Sequence, residues 1–159
     1  MEVKARLNIA EIAESRLQEA LKELDMAWVF LKEGLVRNAA GKAFQAWKSI
    51  LSYLALRNLE LLESRYRGFK RVGSRSIPLH EWIAAVMPTN RMAEASTILE
   101  DKVRGVIELT ALALQLHEFQ YNGPDPEGIR SKIPNEETAK DLVKTLLERI
   151  REIIRSLEK

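Results

Sequence analysis

Leu112–Asp125 reads LALQLHEFQYNGPD, and the fold turns on how this stretch ends. Its apolar positions close a long amphipathic helix, and its last residues stop that helix. His117 and Tyr121 are four apart and share a helix face. Asn122-Gly123-Pro124 then breaks the helix, because Gly supplies a left-handed cap residue and Pro cannot continue the ladder. Hydrogen-bonding groups (His117, Glu118, Tyr121, Asn122, Asp125) therefore gather at one end of an otherwise apolar rod.

Upstream, Met92, Ala95, Leu99, Val103, Val106, Leu109, Ala113 and Leu116 predict one continuous helix from Arg91 to Tyr121, capped by Thr89 or Asn90. Further back, Asn8 and Glu11 have capping-box spacing and open a helix over Ile9–Leu35. Its seam is Ala13, Leu17, Ala20, Leu24, Ala27 and Leu31, widened by Leu21, Trp28 and Leu35. A second helix is predicted over Arg37–Tyr66, with Ala40, Phe44, Trp47, Leu51 and Leu54 as its core stripe. Pro78–Met87 predicts a short helix, with Trp82, Ile83 and Val86 turned inward and Pro88 ending it. Downstream, Asn135 caps a last helix with Glu136 and Glu137 in its first turn. Its inward positions are Ala139, Leu142, Leu146, Ile150, Ile153 and Leu157.

No stretch alternates long enough to predict a strand. The expected fold is all-α: an antiparallel four-helix bundle with a short extra helix between helices 2 and 3, in one domain spanning residues 1–159. A second apolar strip on the last helix (Val143, Leu147, Ile154) and the narrow seam on the first leave surplus hydrophobic area, so a homodimer is expected.

The absence of cysteine excludes disulfides and thiolate metal sites, and two histidines make a His-rich metal site unexpected. No metal and no cofactor are therefore expected. No apolar run is long enough to span a bilayer, and Met1–Arg6 has no signal-peptide core, so a cytoplasmic protein without membrane contact is expected. A formal net charge of +2 does not by itself demand nucleic acid.

Local charge says more. Gly41, Gln45, Lys48 and Ser52 form a small, polar stripe on the second helix. Such stripes are usually solvated faces; the alternative is a cleft wall with Lys48 facing an anion. Residues 65–80 form a connection with Arg65, Arg67, Lys70, Arg71 and Arg75, with no acid between Glu63 and Glu81 and with Tyr66 and Phe69 interleaved. That segment is either a solvated loop or a surface for RNA or a nucleotide. A histidine side chain can move protons, which makes His117 a catalytic candidate, with Glu118 beside it as a second. The structural alternative has His117 capping helix carbonyls while Asn122 and Asp125 build the turn. Arg75 and His80 are five apart, but Pro78 between them argues against one helical presentation, and His80 is expected to cap the short helix. Neither a phosphate loop nor a serine triad is present.

Two segments, Arg37–Lys48 (RNAAGKAFQAWK) and Leu114–Asp125 (LQLHEFQYNGPD), resemble the archaeal PaREP family of small helical proteins, and the resemblance extends over the full chain. That family is similar to the HEPN group of four-helix bundles, which includes RNA-cleaving toxins and partners of nucleotidyltransferases, many of them dimers. The resemblance implies that a site, if present, draws on Asn38, Lys42, Trp47, Lys48, His117, Glu118, Tyr121, Asn122 and Asp125. HEPN ribonucleases carry an Arg four to six residues before a His; here Thr110, Ala111 and Leu112 stand where that Arg would be.

The expected function is binding of a nucleotide or RNA through Lys42, Lys48, His117, Tyr121, Asn122, Asp125, Arg67 and Arg71. A scaffold role beside a nucleotidyltransferase ranks second and a metal-independent ribonuclease third, so the balance leans away from an enzyme.

Overall fold

The computed structural model describes residues 3–159. Met1 and Glu2, part of the N-terminal segment read above for a leader, lie outside the described residues. The chain is mostly helical with a small three-stranded sheet, and it divides into two compact units. One comprises the residues up to Gln18 together with Lys48–Ile107; the other comprises Glu19–Trp47 and Glu108–Lys159.

The helices are α1 (Ile9–Lys32), α2 (Val36–Leu56), α3 (Leu59–Glu63), α4 (Leu79–Val86), α5 (Met92–Leu99), α6 (Val106–Asn122) and α7 (Glu136–Leu157). The strands are β1 (Val3–Lys4), β2 (Phe69–Val72) and β3 (Arg75–Pro78). No helix among the described residues is long and apolar enough to cross a membrane.

The first unit holds the sheet. β2 and β3 pair antiparallel, with Phe69 opposite Pro78 and Val72 opposite Arg75. β1 pairs parallel to β3, with Val3 opposite Arg75. Gly73-Ser74 forms the hairpin turn, with Gly73 at φ 63°; a positive φ in a two-residue turn follows the right-handed twist of the strands. This corrects the expectation that the chain has no strand: the connection read over residues 65–80 holds a hairpin. The predicted second helix also ends earlier, at Leu56, where Asn58 Nδ2 donates to Leu54 O at 2.8 Å.

The predicted third helix is likewise broken, into α5 and α6. Gly105 takes φ 96°, and the Glu100 carboxylate accepts from Gly105 N (2.8 Å) and Ile107 N (3.0 Å). Glu100 thereby satisfies amide donors at the start of α6 that have no intrahelical partner. These bonds, from Ile107 first and Gly105 second, hold its carboxyl below the usual range.

α4 buries Glu81, Ile83, Ala84 and Ala85, while Val86, expected inward, is 43% exposed. Glu81, Ala84 and Ala85 have helical spacing on one side, which carries Val86 round to solvent. The carbonyls at the end of α4 are satisfied from elsewhere in the unit: Ser52 Oγ donates to Ala84 O, and Arg16 Nε to Ala85 O at 2.9 Å. Ser52 is thus a buried bonding group rather than part of a solvated stripe. Met87 closes the helix in the left-handed region (φ 46°), ahead of Pro88.

The second unit is built on the later part of α1, the early part of α2, α6 and α7. Ala39, Ala40, Gly41, Ala43 and Ala46 are all buried along α2, and small residues in such a run let neighbouring helices approach closely. Asn135 caps α7 as predicted, its side chain accepting from Thr138 N at 2.8 Å. Val143 and Leu147 are fully buried and Ile154 is 8% exposed, so the second apolar strip of α7 is covered within the single chain. The surplus area expected there does not exist.

Candidate functional site

The second unit brings the start of α2 against the end of α6. Contacts run in opposite sense along the two helices. Arg37 meets the carbonyls of Gln120 and Tyr121, Gly41 lies under the Gln120 side chain, Phe44 stacks on His117, and Trp47 Nε1 donates to Thr110 Oγ1 at 2.9 Å. The last of these satisfies the polar edge of a fully buried ring.

Gly41 sits where it does for lack of a side chain. Its φ is not positive; instead, a Cβ there would fall 2.5 Å from Gln120 Nε2. The amide of Gln120 occupies that gap, and its Oε1 is buried without a hydrogen-bond partner. A buried, unsatisfied carbonyl is costly unless something donates to it.

Beside it opens a cleft of about 690 Å³, lined by Glu23 and Phe30 of α1, by Arg37, Asn38, Gly41, Lys42 and Gln45 of α2, and by Gln120 of α6. Its size is that of small-ligand sites. Lys42 Nζ lies 3.1 Å from Glu23 Oε2, at ion-pair distance though outside good hydrogen-bond geometry. Both side chains keep partial access to solvent. Three amide side chains (Asn38, Gln45, Gln120) supply donors and acceptors in the same wall.

Arg37 is the group that caps α6. Its Nε donates to Gln120 O at 3.0 Å and its Nη2 to Tyr121 O at 2.7 Å. A guanidinium suits a helix C-terminus both as a multiple donor and as a cation. The His117 ring lies 4.1 Å from that of Phe44, stacked at 21°, and edge-on to Tyr121 at 5.1 Å. Tyr121 is 67% exposed, and Glu118 is also exposed.

Asp125 and Asn122 are engaged by their own loop. The Asp125 carboxylate accepts from Arg130 N (2.6 Å), Ser131 N (3.1 Å) and Gly128 N (3.1 Å). Those backbone donors, Arg130 foremost, hold its carboxyl below the usual range. Asn122 Nδ2 donates to Arg130 O at 3.2 Å. The structural alternative for these two residues describes what they do.

Lys48, Arg67 and Arg71 belong to the first unit, whereas Lys42, His117, Tyr121, Asn122 and Asp125 belong to the second. Within the first, Arg67 Nε donates to Ser64 O at 3.3 Å and Arg71 Nε to Gly73 O at 3.4 Å, both at the surface. His80 is the second residue of α4 and does not cap it; Pro78 holds that position with no side-chain bond. Arg75 begins β3, so Arg75 and His80 straddle a strand-to-helix junction rather than sharing a helix. Tyr66 is buried, and burial together with Glu94 beside it raises its phenol above the ordinary value.

The sequence reading omitted Arg37, Glu23, Phe30 and Gln120 from the candidate site, whereas Asn38, named through the family resemblance, lines the cleft. A signal for Gln120 existed: a Gly inside an Ala-rich helical run marks a close approach by something. Arg37 offered no comparable signal, because capping a distant helix end has no sequence spacing.

No curated protein and no solved structure matches the chain. The sequence pattern of the Archaeal PaREP1/PaREP8 family matches residues 15–144, a span that takes in both the α2 wall of the cleft and the loop after α6. The chain belongs to the archaeal PaREP1/PaREP8 family.

Proposed function

We propose that this protein is an HEPN-like helical bundle that binds a nucleotide in the cleft between α1, α2 and the end of α6. The observation that carries the reading is the Gln120 amide seated over Gly41, with its carbonyl buried and unsatisfied beside Lys42 and two further amides. A base presents donors to amides, and a phosphate suits Lys42. Phe30 offers an apolar wall for a base.

Isothermal titration calorimetry with purine and pyrimidine mononucleotides and triphosphates tests this. Lys42→Ala and Gln120→Ala should each weaken binding about tenfold, the scale of one charge-assisted or buried hydrogen bond. No binding of any nucleotide at low salt overturns the proposal.

A second reading is a scaffold that partners a nucleotidyltransferase. It is favoured by the engagement of Arg37, Asn122 and Asp125 in holding the chain's own loops and helix ends. Co-purification of a second protein with a silent calorimeter would favour it. The proposed homodimer no longer draws support from α7; the exposed apolar residues that remain near α1 are Met26, Val29 and Leu35. A ribonuclease is the least supported reading, given the placement of Arg75 and His80 and the stacking of His117 on Phe44.

A further inference from the structure

The three-stranded sheet of the first unit has two unlike faces. Residues opposite one another across a ladder share a face, so Phe69, Arg71, Ser76 and Pro78 lie together, and the register of β1 adds Lys4 beside Ser76. On the other face Ile77 is buried and Lys70 lies over the Trp82 ring at 4.7 Å, while Val72 is 45% exposed. On the first face Ser76 is buried, and the residues open to solvent are Lys4, Phe69 and Arg71.

On that first face Phe69 is 58% exposed, with Lys4 Nζ 5.7 Å from its ring centroid. A cleft of about 540 Å³ adjoins Phe69 and Pro78 and is lined also by Arg6, Arg67 and His80 and by the carboxylates of Glu63 and Glu81. Charge compensation is partial. Arg65 is paired with Glu94 at 3.7 Å and Arg6 with Glu81 at 4.0 Å. Among the described residues no ion pair engages Lys4, Arg67, Arg71 or Arg75.

We infer that this face binds single-stranded nucleic acid, with a base stacked on Phe69 and successive phosphates held by Lys4, Arg67 and Arg71. An exposed ring held on a strand is a stacking platform for any base, and uncompensated cations around it track a phosphate backbone. A duplex does not fit this chemistry, because its base faces are already stacked. The inference uses residues of the first unit alone and does not depend on the nucleotide cleft proposed above.

The test is fluorescence anisotropy of the full chain with labelled single-stranded RNA, single-stranded DNA and duplex RNA of the same sequence. Both single strands should bind, with affinity falling at a log–log salt slope of about −2 if three phosphates are neutralised. Phe69→Ala should weaken binding about tenfold. Arg71→Ala should make the salt slope shallower by roughly one contact's share. Both side chains are exposed, so the variants should retain the wild-type circular dichroism spectrum. Lys140→Ala on α7 should leave single-strand affinity unchanged. Duplex binding as tight as that of single strands, an unaltered Phe69→Ala, or an equal loss in Lys140→Ala would each overturn the inference, as would no binding at low salt.

Discussion

Gly41 and Gln120 make one joint decision about the α2–α6 contact. Ala at position 41 would gain about 1 kcal/mol of helix propensity, while its Cβ would displace the flexible end of Gln120. Gly41→Ala should therefore leave the unfolding midpoint equal or higher and still abolish nucleotide binding in calorimetry. Thr110 is a different case, because its hydroxyl satisfies the indole N–H of a fully buried Trp47. Thr110→Val should cost about 1–3 kcal/mol in urea denaturation, the penalty of a buried donor left unpaired. Asp125 and Glu100 predict a pH dependence. Both carboxyls are held below their ordinary values by backbone amides. Their contribution is complete above an unfolded value of about 4 and is lost as pH falls through the lower folded value. Protection of the amides of Arg130, Ser131 and Ile107, relative to their intrinsic exchange rates, should fall in that acid window, and Asp125→Ala should accelerate exchange of the first two at neutral pH. Asn8 and Asn135 were legible as caps because a cap acts on residues close by in the chain. Arg37 was not, since its carbonyls lie more than eighty residues away.

At the scale of elements, the boundaries that local chemistry sets were readable and those set from a distance were not. The starts of α1 and α7 were found from their caps. The break between α5 and α6 was missed because the apolar stripe runs on through it: Leu99 and Val106 are both buried and keep helical phase. The signal lay in Glu100 and Gly105, a carboxylate and a left-handed glycine, which together stop one helix and start another. The hairpin was missed because each strand is only four residues long and β2 is exposed throughout. Its legible mark was Gly73-Ser74 between two short runs, a pair that suits a two-residue turn. One prediction belongs here. Arg37→Ala should fray the end of α6, at a cost of about 1–2 kcal/mol. Exchange at Phe119–Asn122 should quicken, while amides in the middle of α2 stay protected.

For the whole molecule, helical periodicity carried the secondary structure, but it could not say which apolar strip a second copy would cover. Leu147 shows the difference. It was read as surplus surface, and it is fully buried within one chain. Leu147→Ala should cost about 2–5 kcal/mol, a large share of a total stability of roughly 5–15 kcal/mol. Denaturant unfolding should show that loss independently of protein concentration. The loop after α6 also bears on chemical lifetime. Asn followed by Gly is the dipeptide most prone to spontaneous deamidation, which requires the glycine nitrogen to attack the asparagine amide carbon. Here Gly123 N is bonded to Phe119 O at 2.8 Å and the Asn122 amide to Arg130 O. The nucleophile and its target are each held by another partner. Ageing at this bond should therefore report opening of the helix end, and Arg37→Ala should shorten the shelf life of Asn122 as read by mass spectrometry.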